Sequence, residues 1–147
     1  MPEKEVLERA RQDKREGKAP STQAGEVVRE EIEHIREGKR GARSARQAIA
    51  IGLSKARRAG VKLPPPEKGS ASEEIREQAA RDLSKGKSPR KKISAKRSRA
   101  MSRVLKREGS SAASKTALSR HARSVAAKRS AAARSRSAKK AAKTRKK

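Results

Sequence analysis

The chain has 147 residues and a formal net charge of +27 at pH 7, because 43 Lys and Arg side chains face only 16 Asp and Glu. Leu, Ile and Val number six each and there is no Phe, Tyr or Trp, so a full hydrophobic core is excluded. The absence of Cys excludes disulfides, thiolate metal sites and a thiol nucleophile. A chain this basic attracts polyanions, namely DNA, RNA or an anionic membrane surface.

The sequence disfavours the membrane among these partners. There is no run of about 18 apolar residues that could span a bilayer. The Trp and Phe that an interfacial helix inserts are missing too. Acids at positions 3, 5 and 8, without an apolar segment, do not resemble a secretory signal. We therefore expect no membrane partner and a cytoplasmic location, at the nucleoid.

Residues 1–66 are predicted to form a small helical head, a hairpin of two to three helices. The first helix follows Pro2 and has acids early and bases late, in the order that suits the helix dipole. The second helix is expected to begin with Ser21 or Thr22 as its N-cap and to end at Gly38. Its apolar residues recur at helical spacing and form one stripe for packing: Ala24, Val28, Ile32 and Ile35.

The third predicted helix lies in the stretch with the densest apolar run, residues 38–60. Ser44 and Gln47 have the spacing of a capping box, and a glycine follows the helix. Gly52 lies among the apolar positions, where it would let the second helix approach closely. The alternating segment "AIAIGL" also fits a short strand, although the surrounding pattern favours a helix.

Three prolines at 64–66 end the head, since they cannot continue a helix. Just before them, Val61 and Leu63 are expected to fold back over the hairpin. A short amphipathic helix is expected to restart with Ser70 and Glu73 in capping-box spacing.

The rest of the chain is predicted to be a basic extension of the head. Residues 67–109 read as a basic segment with short helices and the motif "SPRKK" at 88–92. Residues 110–147 are low-complexity Ala, Ser, Lys and Arg, with no acid after Glu108. We expect this tail to be largely disordered when free and conditionally helical when phosphates neutralise it. The expected fold class is therefore mainly α, with a helical head and a largely disordered tail.

Two resemblances follow from these residues. The acid-free tail resembles the C-terminal domains of linker histones and of bacterial histone-H1-like proteins, and "SPRKK" resembles their minor-groove motif. The head, from "STQAGEVVREEIEHIREGKRG" to "KLPPP", resembles an uncharacterised family of small basic bacterial proteins. These resemblances imply DNA binding, and the head's family also implies a role in plasmid stabilisation.

Catalysis is not supported by the residue pattern. The chain has two histidines, His34 and His121, which lie far apart in sequence. Glu30 and His34 have the i, i+4 spacing of a carboxylate–imidazole pair or half a metal site, but a solvated helix-surface pair is the favoured interpretation. We expect no enzymatic activity, no cofactor and no metal.

The predicted function is sequence-nonspecific binding of duplex DNA by phosphate neutralisation, as in histone-like, nucleoid-associated proteins. Without Asn or aromatics, the chain is poorly equipped to read bases or to stack on single strands. The alternatives are an RNA- or ribosome-associated protein and a protein-interaction or plasmid-stabilisation module that its tail tethers to DNA, and no oligomeric state is indicated. The side chains predicted to contact nucleic acid are Arg40, Arg43, Arg46, Arg57, Arg58, Arg90, Lys91, Lys92, Lys96, Arg97 and Arg99.

Overall fold

A computed structural model describes residues 1–88 and 94–145 of the chain. Within these two ranges all regular structure is helical and no β-strand is present. A single turn of 3₁₀ helix, Ser111–Ala113, precedes the last two α-helices. The α-helices are α1 (Lys4–Arg15), α2 (Pro20–Arg36), α3 (Ala45–Arg58), α4 (Glu73–Lys87), α5 (Ala95–Arg107), α6 (Lys115–Ala127) and α7 (Ala131–Arg145).

The prediction of a largely disordered tail is wrong, because α6 and α7 occupy most of the described residues from 110 onward. Ala, Lys and Arg are among the strongest helix formers. Serine hydroxyls also cap the last two helices. Ser114 Oγ accepts the N–H of Ala117 at 3.1 Å, and Ser130 Oγ accepts the N–H of Ala133 at 3.2 Å. Helix propensity and capping, which a count of aliphatic residues leaves out, explain the order.

Several helix boundaries differ from those predicted. Helix α2 begins at Pro20, with Ala19 as its N-cap, because the fixed φ of proline suits the first helical position. Helix α4 begins after Ser72 rather than in a capping box from Ser70, whose hydroxyl instead donates to the carbonyl of Glu67 at 2.6 Å.

The predicted third helix is confirmed, and the strand alternative for "AIAIGL" is wrong. Half of the expected capping box is present, since Ser44 Oγ accepts the N–H of Gln47 at 3.2 Å. The Gln47 side chain accepts from the N–H of Arg43 at 2.8 Å instead of closing the box on Ser44. Gly60 has φ +101° just after the helix, the left-handed conformation typical of a glycine C-terminal stop.

One apolar cluster joins the first three helices. As predicted, Val61 folds back over the hairpin and is buried, with Leu63 packed against the same cluster. Gly52 lets α3 approach α2 closely, as expected, because a Cβ added there would lie 2.7 Å from the Cα of Val28. The buried members of this cluster are Val6, Ala24, Val27, Ala56 and Val61.

A second cluster connects the tail to the head. Its alanines include Ala112 and Ala113 of the 3₁₀ turn, which pack beside Ile35 of α2. The carbonyl of Ala113 accepts from Arg36 Nε at 2.8 Å, and the N–H of Ala42 donates to the carbonyl of Gly109 at 3.2 Å. The tail is therefore folded onto the head by small side chains and backbone hydrogen bonds.

Helix α4 packs along α3 and extends the head. Ala79 and Asp82 are buried there, and Asp82 Oδ2 accepts from the hydroxyl of Ser54 on α3 at 2.7 Å. Gly86 makes the approach close, since a Cβ in its place would lie 2.2 Å from the carbonyl oxygen of Arg57. In the described residues there is no helix long and apolar enough to cross a membrane.

Candidate nucleic-acid interface

Three of the predicted head arginines are exposed. Arg43 lies just before α3, is 80% exposed, and has its guanidinium 3.5 Å from Glu108 Oε1 at the end of α5. Arg46 and Arg58 lie on α3, and neither forms an ion pair with a described residue. About 120° of rotation separates them on the helix, so they do not form one row of charges.

Arg40 adjoins a buried ion pair rather than open solvent. Its guanidinium is 34% exposed and lies 3.8 Å from Glu31 Oε2. The same carboxylate oxygen accepts a hydrogen bond from Lys55 Nζ, and the Glu31 side chain is 1% exposed. Burial lowers the pKa of Lys55, while its ion pair with Glu31 opposes that shift. This largely buried charge pair holds α2 to α3, and Arg40, which adjoins it, is only partly available to a ligand.

Arg57 has a structural role. It is 7% exposed, and its guanidinium donates to the carbonyls of Leu63 at 3.1 Å and Pro64 at 3.2 Å. Burial lowers the pKa of Arg57, and nearby Asp82 partly offsets the effect. The side chain ties the extended segment after α3 back onto the helix and does not face a ligand.

In the described chain, helix α5 has the most regular row of positively charged side chains along one side of a helix. At 100° of rotation per residue, five of its cations fall within an arc of about 100°. All five are exposed, none pairs with a described acid, and α5 contains no acid of its own. The members of this row, called the α5 stripe below, are Lys96, Arg99, Arg103, Lys106 and Arg107.

Sequence reasoning found part of this row. Lys96 and Arg99 belong to the α5 stripe, whereas Arg97 lies on the other side of the helix beside Val104. The missed members, Arg103, Lys106 and Arg107, continue the same helical spacing, which could have identified them. The opposite face holds apolar side chains, of which Met101 is 58% and Val104 52% exposed. The predicted Arg90, Lys91 and Lys92 lie outside the described residues.

Further cations extend beyond α5 on the last two helices. The charges of α6 are Lys115, Arg120 and Arg123, all exposed and all on one side. Those of α7 are distributed around the whole helix, and every described side chain of α7 except the half-buried Ala133 is exposed. The described part of the chain beyond Glu108 therefore presents positive charge without a single carboxylate.

The head also has one acidic region, between α1 and α2. Glu3, Glu30 and His34 bring one ligand-type atom each to within 4.8 Å of one another. Sequence reasoning noted Glu30 and His34 on one helix, but it could not find Glu3, which the packing of α1 on α2 brings close. It is the only group of three or more His, Asp and Glu side chains in the described residues arranged so that it could hold a metal ion.

The comparisons with known proteins concern the head. Residues 21–68 match the model of a family described as a family of unknown function (DUF6496). The match covers α2, α3 and the extended segment after them, and so supports the resemblance to an uncharacterised family. Comparisons with curated proteins and with solved structures give no match.

Proposed function

We propose that this protein binds duplex DNA through the phosphate backbone, with the α5 stripe as its main contact surface. The observation that supports this most is the stripe itself. Five exposed cations lie on one side of one helix, without acids on that helix and without ion-pair partners in the described residues. Some surface cations of this chain do have acids nearby, as Arg9 has Glu26 at 2.9 Å.

The dimensions of α5 suit a duplex. From Lys96 to Arg107 the helix rises about 16 Å, and B-DNA has one phosphate charge per about 1.7 Å of its axis. The stripe therefore faces several phosphates at once, whichever groove edge it follows. Each phosphate that a cation neutralises releases counterions, and this release supplies the binding free energy.

Binding of this kind is little concerned with sequence. The chain has no Asn and few Gln, the side chains that read adenine, and no aromatic ring to stack on an unpaired base. Arginines can read guanine, but the uncharged polar side chains of α5 are limited to Ser98 and Ser102, which leaves few groups to fix a register. We therefore assign the protein a histone-like role in which the cations of α6 and α7 extend the contact along the duplex.

The test is a salt titration of binding to a mixed-sequence duplex. The variant replaces the five members of the α5 stripe by Gln, which keeps helix propensity nearly unchanged. We expect the slope of log K against log salt to fall by up to about 4.5, because each phosphate contact contributes about 0.9. A slope within about one unit of the original would contradict the proposal.

The control removes the same number of charges elsewhere. Five exposed lysines of α1, of the segment between α3 and α4, and of α4, all without described ion pairs, are changed to Gln, which leaves the total charge equal to that of the stripe variant. A loss of slope equal to that of the stripe variant would mean that net charge alone governs binding. These control positions are Lys4, Lys14, Lys62, Lys68 and Lys85.

The same titration with a structured RNA distinguishes the alternative partner. The proposal expects the duplex to bind at least as tightly as the RNA at every salt concentration. Tighter binding of the RNA throughout would replace duplex DNA by RNA as the partner, while the stripe variant would still show whether α5 makes the contact.

A further inference from the structure

The cleft between α1 and α2 contains a buried carboxylate oxygen that has no hydrogen-bond partner in the described chain. Glu30 is 6% exposed, and its Oε1 accepts the backbone N–H of Glu3 at 2.7 Å. Its other oxygen, Oε2, is buried and has no hydrogen-bond partner in the described chain. The imidazole of His34, one turn further along α2, lines the same cleft, with its Nε2 beside Glu3. Buried polar atoms in folded proteins are nearly always satisfied, so a missing group is indicated.

The missing group is positively charged. The cleft, about 240 Å³ in volume, is lined by five glutamates and three basic side chains, in a chain whose net charge is strongly positive. Two of these bases, Arg9 and Arg29, pair with Glu26. The third, Lys39, pairs with Glu37. The local excess of carboxylate is therefore left to attract a cation.

Glu30 itself forms no ion pair within 4 Å among the described residues. The N-terminal ammonium of Met1 and the Lys55 side chain act on it only through longer-range attraction. An isolated buried carboxylate is unfavourable unless a cation is close to it. Glu30 therefore lacks the direct partner that its burial requires.

The geometry suits a metal ion better than a hydrogen bond. His34 Nε2 lies 3.4 Å from Glu3 Oε1, which is longer than a normal N–H···O bond. Two ligand atoms at about 2.1 Å from a tetrahedral zinc lie about 3.4 Å apart. The Glu3 side chain is 61% exposed and can adjust its rotamer, whereas Glu30 and His34 are held by α2.

We propose that Glu3, Glu30 and His34 bind one divalent transition-metal ion, with Zn²⁺ as the best fit. One imidazole nitrogen and two carboxylate oxygens are ligand types that zinc takes, and water would complete the tetrahedron. The donor set disfavours Mg²⁺, which prefers oxygen ligands in an octahedron. Glu3 is the N-cap residue of α1, so the bound metal joins the start of α1 to the C-terminal half of α2. In a head with a small core, this link acts as a structural clamp.

The test is zinc binding by the full-length protein, first stripped with a chelator and kept in high salt to exclude nucleic acid. Competition against a chromophoric zinc chelator is expected to show one equivalent per chain, which excess Mg²⁺ does not displace. Zinc is also expected to raise the Tm, and Co²⁺ in its place to give the strong visible absorption of a four-coordinate site. No saturable zinc binding would overturn the proposal.

Variants locate the site. Glu3→Gln is expected to weaken zinc binding at least tenfold without disturbing the fold, because that side chain is exposed, and His34→Gln to abolish it. The matched controls keep the site intact: Glu33→Gln lies in the same cleft on the same helix, and His121→Gln removes the other histidine. Binding that is unchanged in Glu3→Gln, or weakened as much in either control, would overturn the assignment.

Discussion

The closeness of α2 and α3 can be tested at one glycine. In Gly52→Ala the new Cβ would lie 2.7 Å from Val28 Cα and 2.9 Å from its Cγ2, and backbone atoms cannot move aside by a rotamer change. Ordinary contact begins near 3.4 Å, so the helices must separate by about 0.7 Å. Overpacking of this kind costs about 2–3 kcal/mol, against a gain of about 1 kcal/mol in helix propensity. We expect a net loss of about 1–2 kcal/mol.

Gly25→Ala is the matched control. Gly25 lies within α2, and a Cβ there meets nothing within 4 Å. The same chemical change should therefore raise the free energy of unfolding by up to about 1 kcal/mol. Urea denaturation followed by circular dichroism at 222 nm measures both values, and the Tm of Gly52→Ala should fall by about 3–8 °C. If Gly52→Ala were as stabilising as Gly25→Ala, the close approach at Gly52 would be refuted.

Three further predictions concern the contacts between parts of the chain. Gly41→Ala should release the end of α5 from the head, because its Cβ would lie 1.8 Å from the carbonyl oxygen of Glu108, and faster amide hydrogen exchange there would show it. Arg57→Met should lower the free energy of unfolding by about 2 kcal/mol, because two backbone carbonyls lose their donor, yet leave the salt slope of DNA binding unchanged. Lys55→Met should destabilise by about 3–5 kcal/mol in urea denaturation, and adding Glu31→Leu should restore most of that loss in a double-mutant cycle.

Local signals in the sequence predicted the helices of the head well. Ser44 and Gly60 act through backbone conformation and hydrogen bonds with near neighbours, so their roles follow from the pattern alone. The tail was wrongly predicted to be disordered because that prediction depended on its low content of branched aliphatic residues. Ala112 and Ala113 are buried in the second cluster, with 5% and 0% of their surface exposed. Nothing in the sequence distinguishes such a buried alanine from one on the surface. Their position depends on long-range packing, which composition does not encode.

In the candidate sites, too, the role of a residue depends on long-range packing that the sequence does not show. On the sequence, Arg57 cannot be distinguished from Arg46 or Arg58, since all three are arginines on one helix. Only the return of the segment after α3 places two carbonyls beside the Arg57 guanidinium. The metal-site proposal likewise depends on Glu3, whose distance from His34 is set by how α1 packs on α2. The periodicity of α5, in contrast, is local, and helical spacing alone would have identified its complete row of cations, of which only Lys96 and Arg99 were predicted.

Because α5 is already helical, the free energy of the proposed DNA contact differs from that of a disordered segment. A disordered segment must lose about 1–2 kcal/mol of backbone entropy per residue when it is ordered on a ligand. Helix α5 is already formed over 13 residues, and its far end is attached to the head beside Gly41 and Ala42. Its cations therefore need only side-chain ordering to meet phosphates. At an equal number of phosphate contacts, a pre-formed stripe should have the same salt slope as a disordered tail but a higher affinity at every salt concentration. The substitution Ala100→Pro, in the middle of α5, tests this difference. The affinity for duplex DNA should fall, while the salt slope stays nearly constant.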